Sequence, residues 1–413
     1  MKRLIFVLLF LAMPDFISAN EIKPGIVITK ANYEKYKPEL KKLLSPVTFT
    51  HYVNGLKNGW ITMPIVKTGD YLAPDGYLKL TASNTGKYKV GENNRLIGLE
   101  EKSKLIGWPW RGGAPFPDPE TGTELGWDIY YRYACNRDEF QLHNDFNYYN
   151  NNGSMERKIV NYFFGKVFNG RCTIPPIPEI PGNNGLVHWK VAMLVTEPFD
   201  VKGFIMLRIN YEDIFKPDDV FTYIPALRRL RRLTGADVTD PMLGSDACYD
   251  DFEMWQQKFG PELVFHEPLV GNLLVNKFTN IYDFPGRRKG WIKGNCFQTD
   301  WEIRPVWIMS VDMNMSDYNY SKRVFYIEKE DRTFLIHAED NYDMKGRLWK
   351  GANAVGVTIQ PGTRQRTWHG GMYKNHISGH TSLSDFSPIE PKLDQVRIPY
   401  EFFSVKGLLR KAR

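Results

Sequence analysis

Three histidines, His369, His376 and His380, fall within twelve residues in the stretch WHGGMYKNHISGH. Imidazoles at that density could converge on zinc or copper. Gly370, Gly371 and Gly379 interrupt the segment, so His376 and His380 need not share a helical face, and no carboxylate stands among them to orient a ring. Surface histidines are the simpler reading, and no metal or cofactor is expected. Other chemistry is thinner still. The chain carries no G-x-S-x-G, no Walker loop, no G-x-G-x-x-G and no H-E-x-x-H. Asp340 and Asp343 in AEDNYDMKGRLW read as the acidic rim of a hairpin that turns at Lys345-Gly346. No catalytic residue is assigned, and the chain is not expected to be an enzyme.

A second group of candidates is basic. Arg228, Arg229, Arg231 and Arg232 stand between Leu227, Leu230 and Leu233 in FTYIPALRRLRRLTGADV. Guanidinium groups suit phosphates, so the cluster could meet lipid headgroups or a partner protein. It could equally pair with Asp237, Asp240, Asp246, Asp250 and Asp251, which follow within twenty residues. Nucleic acid is not a candidate, because 54 basic and 47 acidic residues leave a net charge of only +7.

The compartment follows from the first residues, MKRLIFVLLFLAMPDFISAN. Lys2 and Arg3 precede an apolar run from Leu4 to Met13, Pro14 breaks it, and Ala19 offers a small residue for cleavage. Residues 1–19 therefore read as a signal peptide, and the run is too short for a membrane span. Export to the periplasm is expected, with outer-membrane association left open. Cys135, Cys172, Cys248 and Cys296 would then meet an oxidising environment. Four cysteines allow three pairings. Cys135–Cys172 is the expected bridge, since both lie outside the β-rich region and flank one helical unit; burial as free thiols is the alternative.

The elements that must position these residues come in three blocks. Residues 20–125 read as an N-terminal extension, with a helix near Tyr33 to Leu44 broken or kinked at Pro38 and an ordered Gly/Pro loop in GWPWRGGAPFPDPETGTELG. Residues 126–360 read as the main domain. It opens with a helix from Ser154 to Phe168, on the spacing of Ile159, Phe163 and Val167, and continues in short β-rich runs from LVHWKVAMLVTEP to RTFLIHAED, interrupted by a helix at Tyr249 to Phe259. Short polar connections such as EKEDR argue for an antiparallel meander. Residues 361–413 read as an irregular tail with a closing strand at VRIPYEFFSV, ending in a frayed KGLLRKAR. Aromatic residues make up 14% of the chain, enough either for an unusually aromatic core or for rings lining a cavity.

YIPALRRLRRL followed by MLGSDACYDDFEMW, and later KRVFYIEKEDRTFLIHAEDNYDMKGRLWK, resembles the outer-membrane lipoprotein-sorting-like proteins of bacteria. GGAPFPDPETGTELGWD is similar to a related, longer family of exported proteins with no assigned activity. The resemblance implies a mainly β, α+β fold in which a strongly curved antiparallel sheet forms an open half-barrel with covering helices. It also implies an apolar space between sheet and helices that holds acyl chains, and a link to lipoprotein sorting or to export of hydrophobic compounds. The expected function is carriage of a lipid-like molecule, with peripheral membrane contact and an envelope export-complex partner as further expectations. Trp189, Phe204, Trp307 and Phe325, each on a predicted strand, are the expected lining. A non-enzymatic accessory subunit of an export complex is the alternative, and a hydrolase with an unrecognised site is the third reading.

Overall fold

Runs rich in valine, isoleucine and aromatic residues, separated by turn residues, pair here into one large antiparallel sheet. The computed structural model describes residues 21–99, 110–133, 137–183, 186–213, 216–233, 235–255, 259–277, 291–359, 364–386 and 392–412. The strands are β1 (Val27–Ile28), β2 (Met63–Pro64), β3 (Tyr88–Val90), β4 (Leu96–Gly98), β5 (Glu139–Tyr149), β6 (Met155–Val167), β7 (Val187–Glu197), β8 (Ile205–Tyr211), β9 (Asp219–Ile224) and β10 (Arg229–Leu233). They continue with β11 (Leu263–Phe265), β12 (Leu269–Lys277), β13 (Ile292–Lys293), β14 (Cys296–Phe297), β15 (Asp300–Met313), β16 (Lys322–Glu328), β17 (Ile336–Tyr342), β18 (Leu348–Ile359), β19 (Arg366–Asn375), β20 (Thr381–Asp385) and β21 (Lys392–Leu393). The helices are α1 (Tyr33–Leu43), α2 (Pro46–Asn58), α3 (Asp75–Asn84), α4 (Gly122–Tyr130) and α5 (Val405–Ala412).

The main sheet runs β10-β9-β8-β7-β6-β5-β20-β19-β18-β12-β15-β16-β17. It is curved and not closed into a barrel. Its pairings are antiparallel except for one parallel contact, Lys277 to Val357, between β12 and β18. Because β19 occupies one edge of β18, β17 and β12 share the other, and the sheet forks there.

Alternation along each strand sorts side chains onto two faces. The inner face carries Phe146, Phe163, Trp189, Val191 and Met193 on one half and Trp307, Met309, Phe325 and Ile327 on the other. Against the second half pack Tyr77 of α3 and Leu125, Trp127 and Ile129 of α4. The outer face is covered as well. Leu40, Tyr52 and Leu56 of α1 and α2 pack on Leu274 and Trp301, while Leu408 of α5 joins Phe164, Leu194 and Leu207.

Several expectations from sequence need correction. The helix read over Ser154 to Phe168 is β6, because apolar residues four apart satisfy a strand's period of two as well as a helix's. The helix at Tyr249 to Phe259 shrinks to a 3-10 turn, Tyr249–Met254, which Glu253 and Met254 end at φ of 53° and 69°. The irregular tail supplies β19 and β20 at the centre of the sheet, and the supposedly frayed end is α5. No strand forms over VRIPYEFFSV, where the described chain has a 3-10 turn at Tyr400–Phe402.

At the N-terminus α1 runs through Pro38 unbroken, and a second helix, α2, follows it. Ser45 caps α2, accepting from the Thr48 amide, with Pro46 in the first turn and Gly59 ending the helix at φ 70°. Its first turn docks on β17 through Asp340, whose carboxylate accepts from the Val47 amide at 2.9 Å and from the Tyr326 hydroxyl at 3.1 Å. Asp340 is thus buried rather than on the hairpin rim, and Asp343 alone serves the turn, accepting from the Lys345 and Arg347 amides.

Burial raises the Asp340 carboxyl to about 6. A carboxyl raised above its unfolded value near 3.9 contributes stability that is complete below about pH 4 and is lost as pH rises through about 6, roughly 3 kcal/mol in all. Asp340→Asn is expected to flatten this part of the stability profile, measured by urea unfolding between about pH 4 and pH 7. Parallel profiles for variant and parent would contradict it. For the C-terminus, Leu408→Ala is expected to cost about 2–5 kcal/mol in the same assay, since Leu408 is fully buried. A frayed tail would give almost no effect.

Candidate functional site

β20 joins the two halves of the sheet by pairing with β5, Thr381 opposite Tyr149 through Asp385 opposite Asp145. On the inner face along this seam lies a cavity of about 50 Å³, within a cleft whose free space, solvent included, is about 760 Å³. Phe140, Leu142 and Phe146 of β5, Phe163 of β6, Tyr373 of β19, Phe386 and Leu393 form its apolar walls. Glycine makes the room. Gly371 lies in the lining, and a Cβ there would meet nothing nearer than the Tyr373 ring at 3.5 Å. Phe140 is placed by a second glycine, its ring lying over Gly165 directly across the ladder, where a Cβ would meet it at 2.0 Å. The polar lining includes Asn144, which accepts from Ser384 Oγ at 2.8 Å, together with Arg137 and Glu253.

Met242 and Met254 close the cavity from above. They belong to an irregular cover, residues 241–254, which holds Leu243, Glu253 and Met254 at positive φ. Non-glycine residues in that region each cost of order 1–3 kcal/mol and persist only where surroundings enforce them. Tyr148 donates to the Leu243 carbonyl at 3.2 Å and Arg132 to the Glu253 carbonyl at 2.6 Å, while Met254 is held by Arg323 of β16, completely buried. Its guanidinium donates to the Met254 carbonyl at 2.8 Å, to Glu339 and, at 3.4 Å, to Asp251. Asp251 in turn accepts from the Cys248 amide and the Tyr320 hydroxyl, both at 2.9 Å. Burial pushes the Glu339 carboxyl up to about 7 against the pull of Arg323, and burial likewise raises Asp250, which Arg208 holds at 3.3 Å.

The expected lining residues, Trp189, Phe204, Trp307 and Phe325, are all buried on the inner face, but none borders the cavity. Trp189 and Phe204 sit in the aromatic cluster that also holds Phe146 and Phe163; Trp307 and Phe325 sit in the other half. The four arginines form the exposed hairpin of β9 and β10 at the sheet's edge, and Arg228 takes a left-handed turn position at φ 49°. Arg231 pairs with Asp237 at 3.0 Å and Arg232 with Asp219. Of the five acids expected to balance them, Asp237 does so among the described contacts. Asp246, Asp250 and Asp251 serve His380, Arg208 and Arg323 instead.

Cys172, Cys248 and Cys296 are buried free thiols, so Cys172 is not half of a bridge; Cys135 lies outside the described residues. Cys296 Sγ is 3.4 Å from His51 Nε2, with burial pushing the thiol up to about 12 and the imidazole well below its usual value. That is a neutral pair, not an activated nucleophile. His380 faces two acceptors, Asp246 with Nδ1 at 2.6 Å and Glu156 with Nε2 at 3.2 Å, and Ser382 Oγ donates to Asp246 at 2.7 Å. Both partners thus meet the carboxylate, and the imidazole does not face the hydroxyl as a general base must. His376 Nδ1 has no partner, and the side chain of His369 lies outside the described residues. Among the described residues no group of three or more His, Cys, Asp or Glu is placed to hold a metal.

The sequence reading missed the cavity walls. The alternation Phe140, Leu142, Phe146, Tyr148 was a usable signal; Tyr373, Phe386 and Leu393 lay in the segment read as tail. Arg323→Met should destabilise by about 3–5 kcal/mol in urea unfolding, because Glu339 and Asp251 would be left buried without their cation. Glu339→Gln in the same background should recover part of the loss, and additive losses would show that the two do not act as one pair.

Residues 27–408 match the model of a family described as a protein of unknown function, DUF1329. No curated protein is similar to the chain at a significant level. Among solved structures, a DUF1329 family protein from Desulfovibrio piger is 16% identical, with 70% of this chain and 95% of that one covered and a TM-score of 0.49. A domain named for outer membrane lipoprotein sorting, from Vibrio parahaemolyticus, is 17% identical over 66% of this chain and 92% of its own, with a TM-score of 0.45. A LolA superfamily protein from Nitrosomonas europaea is 13% identical over 70% and 99%, with a TM-score of 0.42. The match along nearly the whole chain identifies it as a member of the DUF1329 family.

Proposed function

We propose that this chain is an exported, periplasmic binding or carrier protein for a hydrophobic molecule, and that the molecule enters the cavity at the β5–β20 seam. One observation carries the reading: an apolar, glycine-made space lies on the inner face beneath a cover held in unfavourable backbone conformations. Core packing ordinarily leaves no such space. In the closed form the cavity has room for roughly three or four waters. A lipid-sized ligand therefore requires the cover at 241–254 to lift, and release of its strained residues lowers the cost of lifting. The signal-like residues 1–19 support export, and no described helix is long and apolar enough to cross a membrane. The small closed volume is the observation that favours the second reading, an accessory subunit of an export complex with a closed interior.

Gly371→Val separates the two. Its Cβ fits without a close contact, and a β-branched residue suits a strand, so the variant is expected to fold with equal or higher stability. It also fills the cavity. Thermal shift with fatty acids, phospholipids and lipopeptides should stabilise the parent, by about 2.7 kcal/mol at a hundredfold excess over Kd, and should stabilise the variant far less. A parent that shifts with none of them, and carries nothing on solvent extraction and native mass spectrometry, would replace the carrier by the accessory subunit.

A further inference from the structure

Arg137 lines the cavity and is 4% exposed. A guanidinium cannot shed its charge, so burial demands acceptors. Among the described residues no carboxylate lies within ion-pair distance of it, and its remaining contacts are long and neutral. One Nη donates to the Tyr133 hydroxyl at 3.3 Å and the other to the Arg366 carbonyl at 3.4 Å. The Tyr133 ring lies 5.0 Å from the guanidinium carbon, and the Nε–H has no partner.

The nearby acids are committed elsewhere. Asp138 takes the amides of Cys172, Thr173 and Ile174. Asp394 takes the Glu139 amide and the Tyr133 hydroxyl. Five other buried arginines, Arg171, Arg208, Arg304, Arg323 and Arg366, each meet at least one carboxylate, and Arg132 donates to the carbonyls of Glu253 and Trp255, so Arg137 is set apart by how few and how long its contacts are. Among the described residues Arg137 is the one cavity-lining cation. The carboxylate in the lining, Glu253, belongs to the cover, so an incoming anion is favoured at Arg137 and disfavoured beneath the cover.

We infer that the cavity takes an amphiphile with an anionic head, a carboxylate or a phosphate, bound by Arg137, and an apolar chain against Phe140, Phe146, Phe163 and Phe386. The guanidinium fork would satisfy the orphaned Nε–H and one Nη–H with the two oxygens of a single head group. The inference rests on the cavity being the ligand site, and it adds a charge requirement that a purely hydrophobic carrier lacks.

The experiment compares dodecanoate, dodecyl phosphate and 1-dodecanol, below micelle-forming concentrations, by calorimetry on the full mature chain. One or both anions should bind about ten- to hundredfold more tightly than the alcohol, the scale of a charge-assisted hydrogen bond. Whichever anion binds better identifies carboxylate or phosphate as the head. Arg137→Met should bring the preferred anion down to the affinity of the alcohol and leave the alcohol unchanged, while Arg137→Lys, which keeps the charge without the fork, should fall between. If the parent binds all three equally, or if Arg137→Met folds and keeps its preference for the anion, the charge requirement is overturned while the carrier reading stands. If none of the three binds, the charge requirement is overturned, and the carrier reading is decided separately by the thermal-shift and extraction experiments. The comparison on the parent needs no variant, so a failure of Arg137→Met to fold does not shield the inference.

Discussion

The pairing of β20 with β5 is the interaction on which the rest of the structure depends. Without it the chain would hold two separate meanders, β5 to β10 and β12 to β19, each with an exposed edge and half an aromatic core. Exposed edges of that length invite pairing with other chains. Five register pairs fuse the two halves, and side chains reinforce them: Ser384 donates to Asn144, and Trp291 donates to Asp385 at 3.1 Å. The strand that makes the seam comes from near the C-terminus and pairs with one more than two hundred residues earlier. Such non-local closure is slow in folding, because loop entropy is lost before the contacts form. The cavity lies at this seam because two curved surfaces meet there and Gly371 provides no side chain to fill the gap.

Buried charge fixes the register on either side. Glu328 takes both nitrogens of the Arg304 fork, at 3.0 and 2.8 Å, together with Arg366 of β19 and His337 of β17. Arg366 also binds Asp331 in the β16–β17 connection, so β19 is tied to strands two and three places away in the sheet. Paired ions in a core add little net stability over apolar packing, but removing one partner is costly. Their effect is therefore selectivity: a slip of β19 by one residue would turn Arg366 to the other face and strand Glu328. A second hub, Arg323, acts on the cover instead of the ladder.

How much of this was legible follows from what each signal consists of. The strands β7 to β9 and β15 to β17 stood out because β-branched and aromatic runs alternate and end in polar turns. The β6 strand did not, since Ile159, Phe163 and Val167 are four apart and fit either period. The β19 and β20 strands did not, since HGGM and TSLSD offer glycine and small hydroxyl residues where an apolar alternation would be sought. The cavity is a consequence of missing side chains at a contact between distant segments, and no local pattern encodes it. The arginines at 228–232 were conspicuous because they are clustered, yet they lie on an exposed hairpin. Arg137, isolated in CNRDEF, gave no sign in sequence, because its isolation from carboxylates arises only when Asp138 turns to the amides of 172–174.

The cover and the cavity floor differ in a way that bears on motion. The floor is a sheet in which every strand has neighbours, and opening it would break ladder hydrogen bonds on both sides. The cover has short 3-10 turns, strained residues and few backbone bonds of its own, with Met242 accepting one return contact from Ser245 and donating one to Ala247. Local openings draw on the least stable parts of a fold. Arg323 holds the cover through one carbonyl and one carboxylate that is itself part of the cover, beside the Arg208–Asp250 pair and the contacts of Asp246 with His380 and Ser382, so side-chain contacts, and not a strand ladder, hold the cover closed. Because Glu339 competes for the same guanidinium from the floor, a change in charge at Glu339 changes the grip on the cover without touching the seam. The architecture thus separates a rigid surface that shapes the cavity from a loosely built one that controls access to it.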